Sequence, residues 1–321
     1  MKIEVRNLVR TFGKTRAVDD ISFDFASGNI FGFIGPNGAG KTTTIKIMAT
    51  LDLPDSGDVF FDGVSTVTRP SEIRHVVGYM PDSLPDFKDI KVWEYLDFFA
   101  RSFGLRGKTR TQTLADIEEF TDLGEIRYKY LAALSKGMKQ RVSLARSLIH
   151  NPPVLIMDEP AAGLDPRARL ELRRLLKILA GQGKAIFLSS HILSELQDIC
   201  DGAVIIERGK VLSSGTLKQM AHTVESGGKA GSAEAPDQTT VVITSVGASE
   251  KVREKLLELP MIGKVEVIDD NEVRAVFAGA DTQLGEVFKA VASAGLPITG
   301  FNRHHMGLEE LFMKITTGGV Q

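Results

Sequence analysis

Eight consecutive residues carry the strongest chemical signal in the chain. Gly35-Pro36-Asn37-Gly38-Ala39-Gly40-Lys41-Thr42 has the spacing G-x-x-x-x-G-K-[ST]. Glycines so placed let successive backbone amides turn inward around phosphate oxygens. An apolar run at 29–34 precedes the loop and a helical pattern to residue 50 follows it, which is the strand, loop and helix order this spacing requires. The helix start adds the positive end of its dipole. In such a loop Lys41 neutralises β- and γ-phosphate charge, and Thr42 holds Mg²⁺.

Two further segments gain meaning from that loop. Residues 154–157 are an apolar strand that ends in Asp158 and Glu159. Acids often end strands, so the pattern alone says little; beside a phosphate loop, the carboxyl end of a buried strand faces the ligand crevice. Asp158 then coordinates Mg²⁺, directly or through water, and Glu159 orients and deprotonates an attacking water. The third segment is Leu134-Ser135-Lys136-Gly137-Met138-Lys139-Gln140-Arg141, in which Ser135 stands at the N-cap of a helix running to His150. Alone it is an ordinary capped helix. Beside the other two segments it is a second phosphate-facing helix end, with the Ser135 hydroxyl and the Gly137 amide directed at a γ-phosphate.

The elements that must position these groups follow from periodicity. Residues 1–34 alternate or run apolar as strands, and short strands are expected at 60–61 and 76–79. From 91 to about 124 the period is helical, with Trp93, Leu96, Phe99 and Phe103 at three- and four-residue steps. This block interrupts an α/β pattern and reads as an inserted helical subdomain, about 83–150. Helices at 136–150, 166–181 and 191–199 alternate with continuously apolar strands at 154–157 and 185–189, as expected for parallel strands buried on both faces.

Residues 225–240 contain no Val, Ile, Leu, Met, Phe, Tyr or Trp and read as a linker. After it come a strand (241–244), helix (249–259), two strands (264–268, 272–277), helix (282–294), strand (297–302) and a last helix (307–315). The order βαββαβ predicts a small α+β, ferredoxin-like domain. The expected borders are therefore a first domain at 1–222, a linker at 223–238 and a second domain at 239–321.

Composition bounds the setting. With 321 residues, two domains are expected. A hydrophobic fraction of 43% and a charged fraction of 25% exclude a wholly disordered or fibrous chain. The net charge of −2 gives no general attraction to nucleic acid, and no nucleic-acid partner is expected. Cys200 is the only cysteine, which rules out an intramolecular disulfide and fits a reducing compartment. The first six residues lack a signal-type apolar core, and no run approaches the roughly 20 apolar residues of a membrane helix.

The order of phosphate loop, helical insert, Leu-Ser-x-Gly-x-x-Gln-Arg, strand with Asp-Glu-Pro, Gly-Leu-Asp and a lone histidine resembles the ATP-binding cassette family, the nucleotide-binding subunits of ABC transporters. The resemblance covers about residues 1–222. It implies a P-loop NTPase cassette that binds ATP and Mg²⁺ and pairs head to tail with a second cassette. Gly35 to Thr43 match the phosphate loop. Ser135, Lys136, Gly137 and Met138 match the signature that closes the partner's site, and Asp165 the loop joining two sites. Asp158 and Glu159 match the metal acid and catalytic base, His191 the γ-phosphate switch, and Phe12 the aromatic that stacks on adenine.

Two departures from the family pattern point to a subgroup. Lys136 and Met138 replace Gly and Gln of the usual Leu-Ser-Gly-Gly-Gln, and Asp82 stands where a metal-sensing Gln is usual. Both variants resemble cassettes serving multidrug, antibiotic, sodium or polysaccharide exporters. Residues 307–316 look like the closing helix of drug-exporter cassettes. Arg303, His304 and His305 are adjacent and read as a surface feature rather than a metal site. The implied partner is an integral membrane permease on a separate chain, and the implied location is cytoplasmic, peripheral on the membrane's inner face. The competing reading is a non-transport ABC ATPase of translation or DNA repair.

Overall fold

The structure is a computed structural model that describes residues 1–85, 87–197, 199–225, 238–279, 281–304 and 308–317. Most of the expected linker, from 226 to 237, lies outside the described residues, as does His305. The chain divides into two compact units, Met1–Glu225 with Leu308–Gln321, and Ser226–Gly307.

The first unit begins with β1 (Lys2–Phe12), β2 (Thr15–Ala26) and β3 (Ile30–Ile34), followed by α1 (Lys41–Met48), β4 (Ser56–Phe61), β5 (Val64–Ser65), α2 (Pro70–Val76) and β6 (Val77–Met80). Helices α3 (Val92–Ser102), α4 (Gly107–Phe120) and α5 (Lys136–Leu148) come next. Then β7 (Val154–Met157), α6 (Pro166–Gly181), β8 (Ala185–Ser190), α7 (Leu193–Leu196), β9 (Gly202–Glu207), β10 (Lys210–Thr216) and α8 (Leu217–Glu225) complete it.

Two sheets result. One is antiparallel, in the order β2-β1-β4-β5; the other has the order β10-β9-β3-β8-β7-β6 and is parallel except for the β9–β10 edge. Every residue of β3, β7 and β8 is buried, which explains their unbroken apolar runs. β2 instead buries alternate residues, Ile21, Phe23 and Phe25, while Ser22 and Asp24 face solvent. Phe23 and Phe25 stack on Phe187 of β8 at 5.5 and 4.8 Å between centroids, joining the two sheets through one aromatic core. β3, β7 and β8 are adjacent and parallel, so their carboxyl ends open on the same edge of the sheet.

The second unit contains β11 (Gln238–Ser245), α9 (Ser249–Leu257), β12 (Ile262–Val267), β13 (Glu272–Ala278), α10 (Asp281–Ala292) and β14 (Ile298–His304). Its sheet order is β12-β13-β11-β14, with every neighbour antiparallel. Val241, Ile243, Val273 and Phe277 of the sheet pack with Val252 and Leu256 of α9 and Val287 of α10. This is the expected split βαβ arrangement.

Three local expectations need correction. The segment before β6 is helical: Pro70 opens α2, and the strand begins only at Val77. The helix expected at 191–199 is reduced to one turn, α7. Ser190 Oγ accepts from Ile192 N at 3.0 Å and donates to Ile192 O at 3.2 Å, and Ile192 is extended, so His191 lies outside the helix. The last helix, α11 (Leu308–Thr317), was expected in the second domain but packs against α7, α8 and β10 of the first unit, where Leu308 and Leu311 are fully buried. The border expected at 239–321 therefore gives way to a second unit ending at Gly307.

Candidate functional site

The loop between β3 and α1 is shaped by backbone proximity. A Cβ on Gly35 would lie 2.2 Å from Ile206 O, and one on Gly40 would lie 2.4 Å from Ala17 O. Gly40 also has φ +104, a conformation that L side chains rarely adopt. Lys41 folds back over this loop. Its Nζ donates to Gly35 O at 2.7 Å and Pro36 O at 3.2 Å, with the side chain only 6% exposed.

Across the crevice, the end of β7 turns sharply. Asp158 N donates to Met80 O at 2.8 Å, continuing the β6–β7 pairing by one step. Glu159 then has φ 48, in the left-handed region that costs a non-glycine residue about 1–3 kcal/mol. Ser189 of β8 supports this turn from beneath: its Oγ accepts from Glu159 N at 2.9 Å and donates to Asp158 Oδ1 at 2.7 Å. The two oxygens of Glu159 are engaged separately. Oε1 lies 3.5 Å from Lys41 Nζ, and Oε2 lies 2.8 Å from His191 Nδ1.

These groups line one cavity of about 780 Å³. Asn37, Gly38, Gly40, Lys41, Thr42 and Thr43 form one wall, and Asp82, Asp158, Glu159 and His191 another. The volume lies in the range of small-molecule sites. Of the other sequence-predicted residues, Lys136 reaches the cavity, where its side chain lies so close to Gly163 that a Cβ there would sit 2.7 Å from Nζ. Gly35 and Pro36 act through the carbonyls that hold Lys41, and Ala39 is buried beneath the loop. Asp82 is fixed through its backbone, since Gln140 Nε2 donates to Asp82 O at 3.0 Å.

Phe12, Ser135, Gly137, Met138 and Asp165 do not line the cavity. Ser135 and Asp165 are exposed and act as helix caps, accepting from Met138 N at 3.4 Å and Ala168 N at 2.9 Å. Phe12 is 48% exposed at the end of β1, which excludes a core role.

Sequence reasoning passed over Ser189 and Tyr79. A serine near the end of an apolar strand, two residues before a histidine, was the available signal for Ser189. Tyr79 lines the cavity from β6, and burial, reinforced by the Asp158 charge, pushes its phenol up to about 12.

The donor set suits Mg²⁺. Thr42 offers a hydroxyl, and Asp82 and Asp158 offer carboxylates, to the same cavity. No cluster of three or more His, Cys, Asp or Glu that could hold a metal occurs among the described residues.

Comparison with known proteins places the fold in a family. The family model described as ABC transporter matches residues 18–162. Nod factor export ATP-binding protein I of Burkholderia orbicola is 38% identical over 216 residues, which is 66% of this chain and 70% of that protein. The chain belongs to the ABC ATPase family. The cassette also resembles YxlF of Bacillus subtilis, named an uncharacterized ABC transporter ATP-binding protein, at 29% identity over 314 residues, 98% of this chain and 99% of that one. This likeness takes in the second unit as well. A solved structure named as the ATP binding subunit of an ABC transporter has a TM-score of 0.64 at 30% identity, covering 72% of this chain and 96% of that one. The cassette is thus an α/β P-loop ATPase with an inserted helical subdomain.

Proposed function

We propose that the cassette is the ATP-hydrolysing subunit of a membrane exporter and works as one of a pair. The observation that carries this reading is Glu159, held in the cavity between Lys41 and His191 and facing the phosphate loop. The backbone N–H groups of residues 37–43 and the Lys41 ammonium bind the triphosphate of ATP. Thr42, Asp158 and Asp82 would hold Mg²⁺, which would supply positive charge against the phosphates. Glu159 accepts a proton from water as the water oxygen bonds to the γ-phosphorus and the bond to the ADP oxygen breaks. His191 orients the Glu159 carboxylate and approaches the γ-phosphate, and Phe12 stacks on adenine.

Pairing is supported by the signature segment. Ser135 caps α5 in an exposed position outside its own chain's cavity, so this helix end is open to the ATP of a second cassette, identical or paralogous. Asp165, also exposed, would link the two sites. A membrane permease on a separate chain would dock on the helical insert, where Phe87, Phe98 and Tyr128 are 39, 63 and 69% exposed. No helix among the described residues is long and apolar enough to cross a membrane. Docked on that permease, the cassette would sit peripherally on the cytoplasmic face. Export is the direction supported by the Nod factor relative and by the Lys136, Met138 and Asp82 variants.

The test is phosphate release from Mg²⁺–ATP across a dilution series. A paired site predicts a rate per molecule that falls on dilution; a rate unchanged at all dilutions overturns the pairing. Co-purification with an integral membrane protein tests the transport assignment.

A further inference from the structure

Arg10 and Phe12 lie two residues apart on β1, and the Arg10 guanidinium carbon sits 4.7 Å from the centroid of the Phe12 ring. The guanidinium is itself fixed. Nη2 donates to Asp52 Oδ1 at 2.8 Å and Nη1 donates to Asp55 Oδ1 at 3.1 Å. Asp55 is tied to the same strand on both sides of Arg10: its Oδ2 accepts from Thr11 N at 2.7 Å, and its own N donates to Val9 O at 2.8 Å. Two carboxylates from the α1–β4 connection thus set the plane of one cation, and that cation covers one face of an exposed phenyl ring.

An exposed Phe at the end of a strand samples several rotamers, and a ligand that stacks on it must bear the loss of that freedom. A cation over the negative face of the ring removes part of this freedom beforehand. It also occupies one face, which leaves the other for a planar base.

We propose that Arg10, clamped by Asp52 and Asp55, is a positioning residue that pre-orders Phe12 to receive the base of the bound nucleotide. The proposal rests on the nucleotide reading given above and deepens it: part of the affinity for the base is set by a side chain that does not touch the base. Phosphate recognition at Lys41 is independent of it.

The experiment measures binding of Mg²⁺–ATP and of inorganic tripolyphosphate, which carries the phosphates without a base, to the full chain. Arg10→Gln should weaken ATP binding about two- to fivefold and leave tripolyphosphate unchanged. Arg10→Lys, which keeps the charge but not the two-carboxylate clamp, should recover part of the loss. In a Phe12→Ala background, Arg10→Gln should add nothing. Equal weakening of both ligands, or a full additional loss in the Phe12→Ala background, overturns the proposal. If Phe12→Ala alone leaves ATP binding unchanged, the base-stacking reading of Phe12 fails first and the proposal with it. Should Arg10→Gln lower the melting temperature enough to obscure binding, Asp52→Asn loosens the same clamp and is read in the same way.

Discussion

Nδ1 of His191 stands 2.8 Å from Oε2 of Glu159, although 32 residues separate them in the chain. The contact is produced by two strand ends. β7 delivers Glu159 through a left-handed turn, and β8 delivers His191 just before its chain enters α7. With Lys41 on the other oxygen, the carboxylate has little freedom to rotate away from the cavity.

Removing the histidine should therefore cost catalysis more than binding. His191→Ala should lower kcat by about 10–100-fold, the scale of a misplaced catalytic group, with ATP affinity changed little. His191→Gln retains a side-chain amide near Glu159 and should recover part of the rate. Steady-state ATPase kinetics beside equilibrium ATP binding separate the two effects, and an equal loss in both would contradict the orienting role.

The phosphate loop offers a graded backbone test. Gly38 has φ +79, and a Cβ there meets nothing within 4 Å; Gly40 has φ +104, and its Cβ would strike Ala17 O at 2.4 Å. Gly38→Ala should cost about 1–2 kcal/mol, the left-handed penalty alone. Gly40→Ala should cost more and also abolish nucleotide binding, because the loop must move. Urea unfolding and ATP binding of the two variants check the ranking.

His150 predicts a pH dependence of stability. Its Nε2 donates to Val77 O at 3.1 Å, and its ring stacks on Phe103 at 3.9 Å between centroids. Nδ1 is buried without a hydrogen-bond partner among the described residues, so a proton there would find no acceptor. Burial holds the imidazole pKa below its ordinary 6.5 against the opposing Val77 bond, with smaller help from the neighbouring His75, Lys184 and Arg146. The unfolded chain then binds the proton more readily than the folded one, so this group's contribution is complete above pH 6.5 and is lost as pH falls below it. The urea midpoint of the protein should fall more steeply between pH 7.5 and 5.5 than that of His150→Gln; parallel curves would contradict the account.

Much of the site was legible because its residues are neighbours in sequence. The phosphate loop and Asp158-Glu159 are each contiguous, and each follows or opens an element whose period is clear. Ser189 was missed because its role exists only once β8 pairs with β7, which brings its hydroxyl under a turn 30 residues away. The last helix was assigned to the wrong unit for a related reason. It follows the second unit in sequence, but its buried Leu308 and Leu311 find their packing partners in the first. Hydrophobic periodicity identifies the face that a helix buries, not the element it is buried against. The shortening of α7 likewise depends on a local bracket of Ile192 by the Ser190 hydroxyl, which competes with helix hydrogen bonding and leaves no periodic signature.

The central claim is that Glu159 is the base that activates water against ATP in this cavity. The most direct measurement is single-turnover phosphate release by Glu159→Gln, with ATP binding measured on the same sample. Glutamine preserves size and can still accept from His191, but it cannot take the proton from water. The account predicts ATP binding close to that of the unaltered protein, with phosphate release slower by about 10²–10⁴-fold. Phosphate release at the unaltered rate would contradict it.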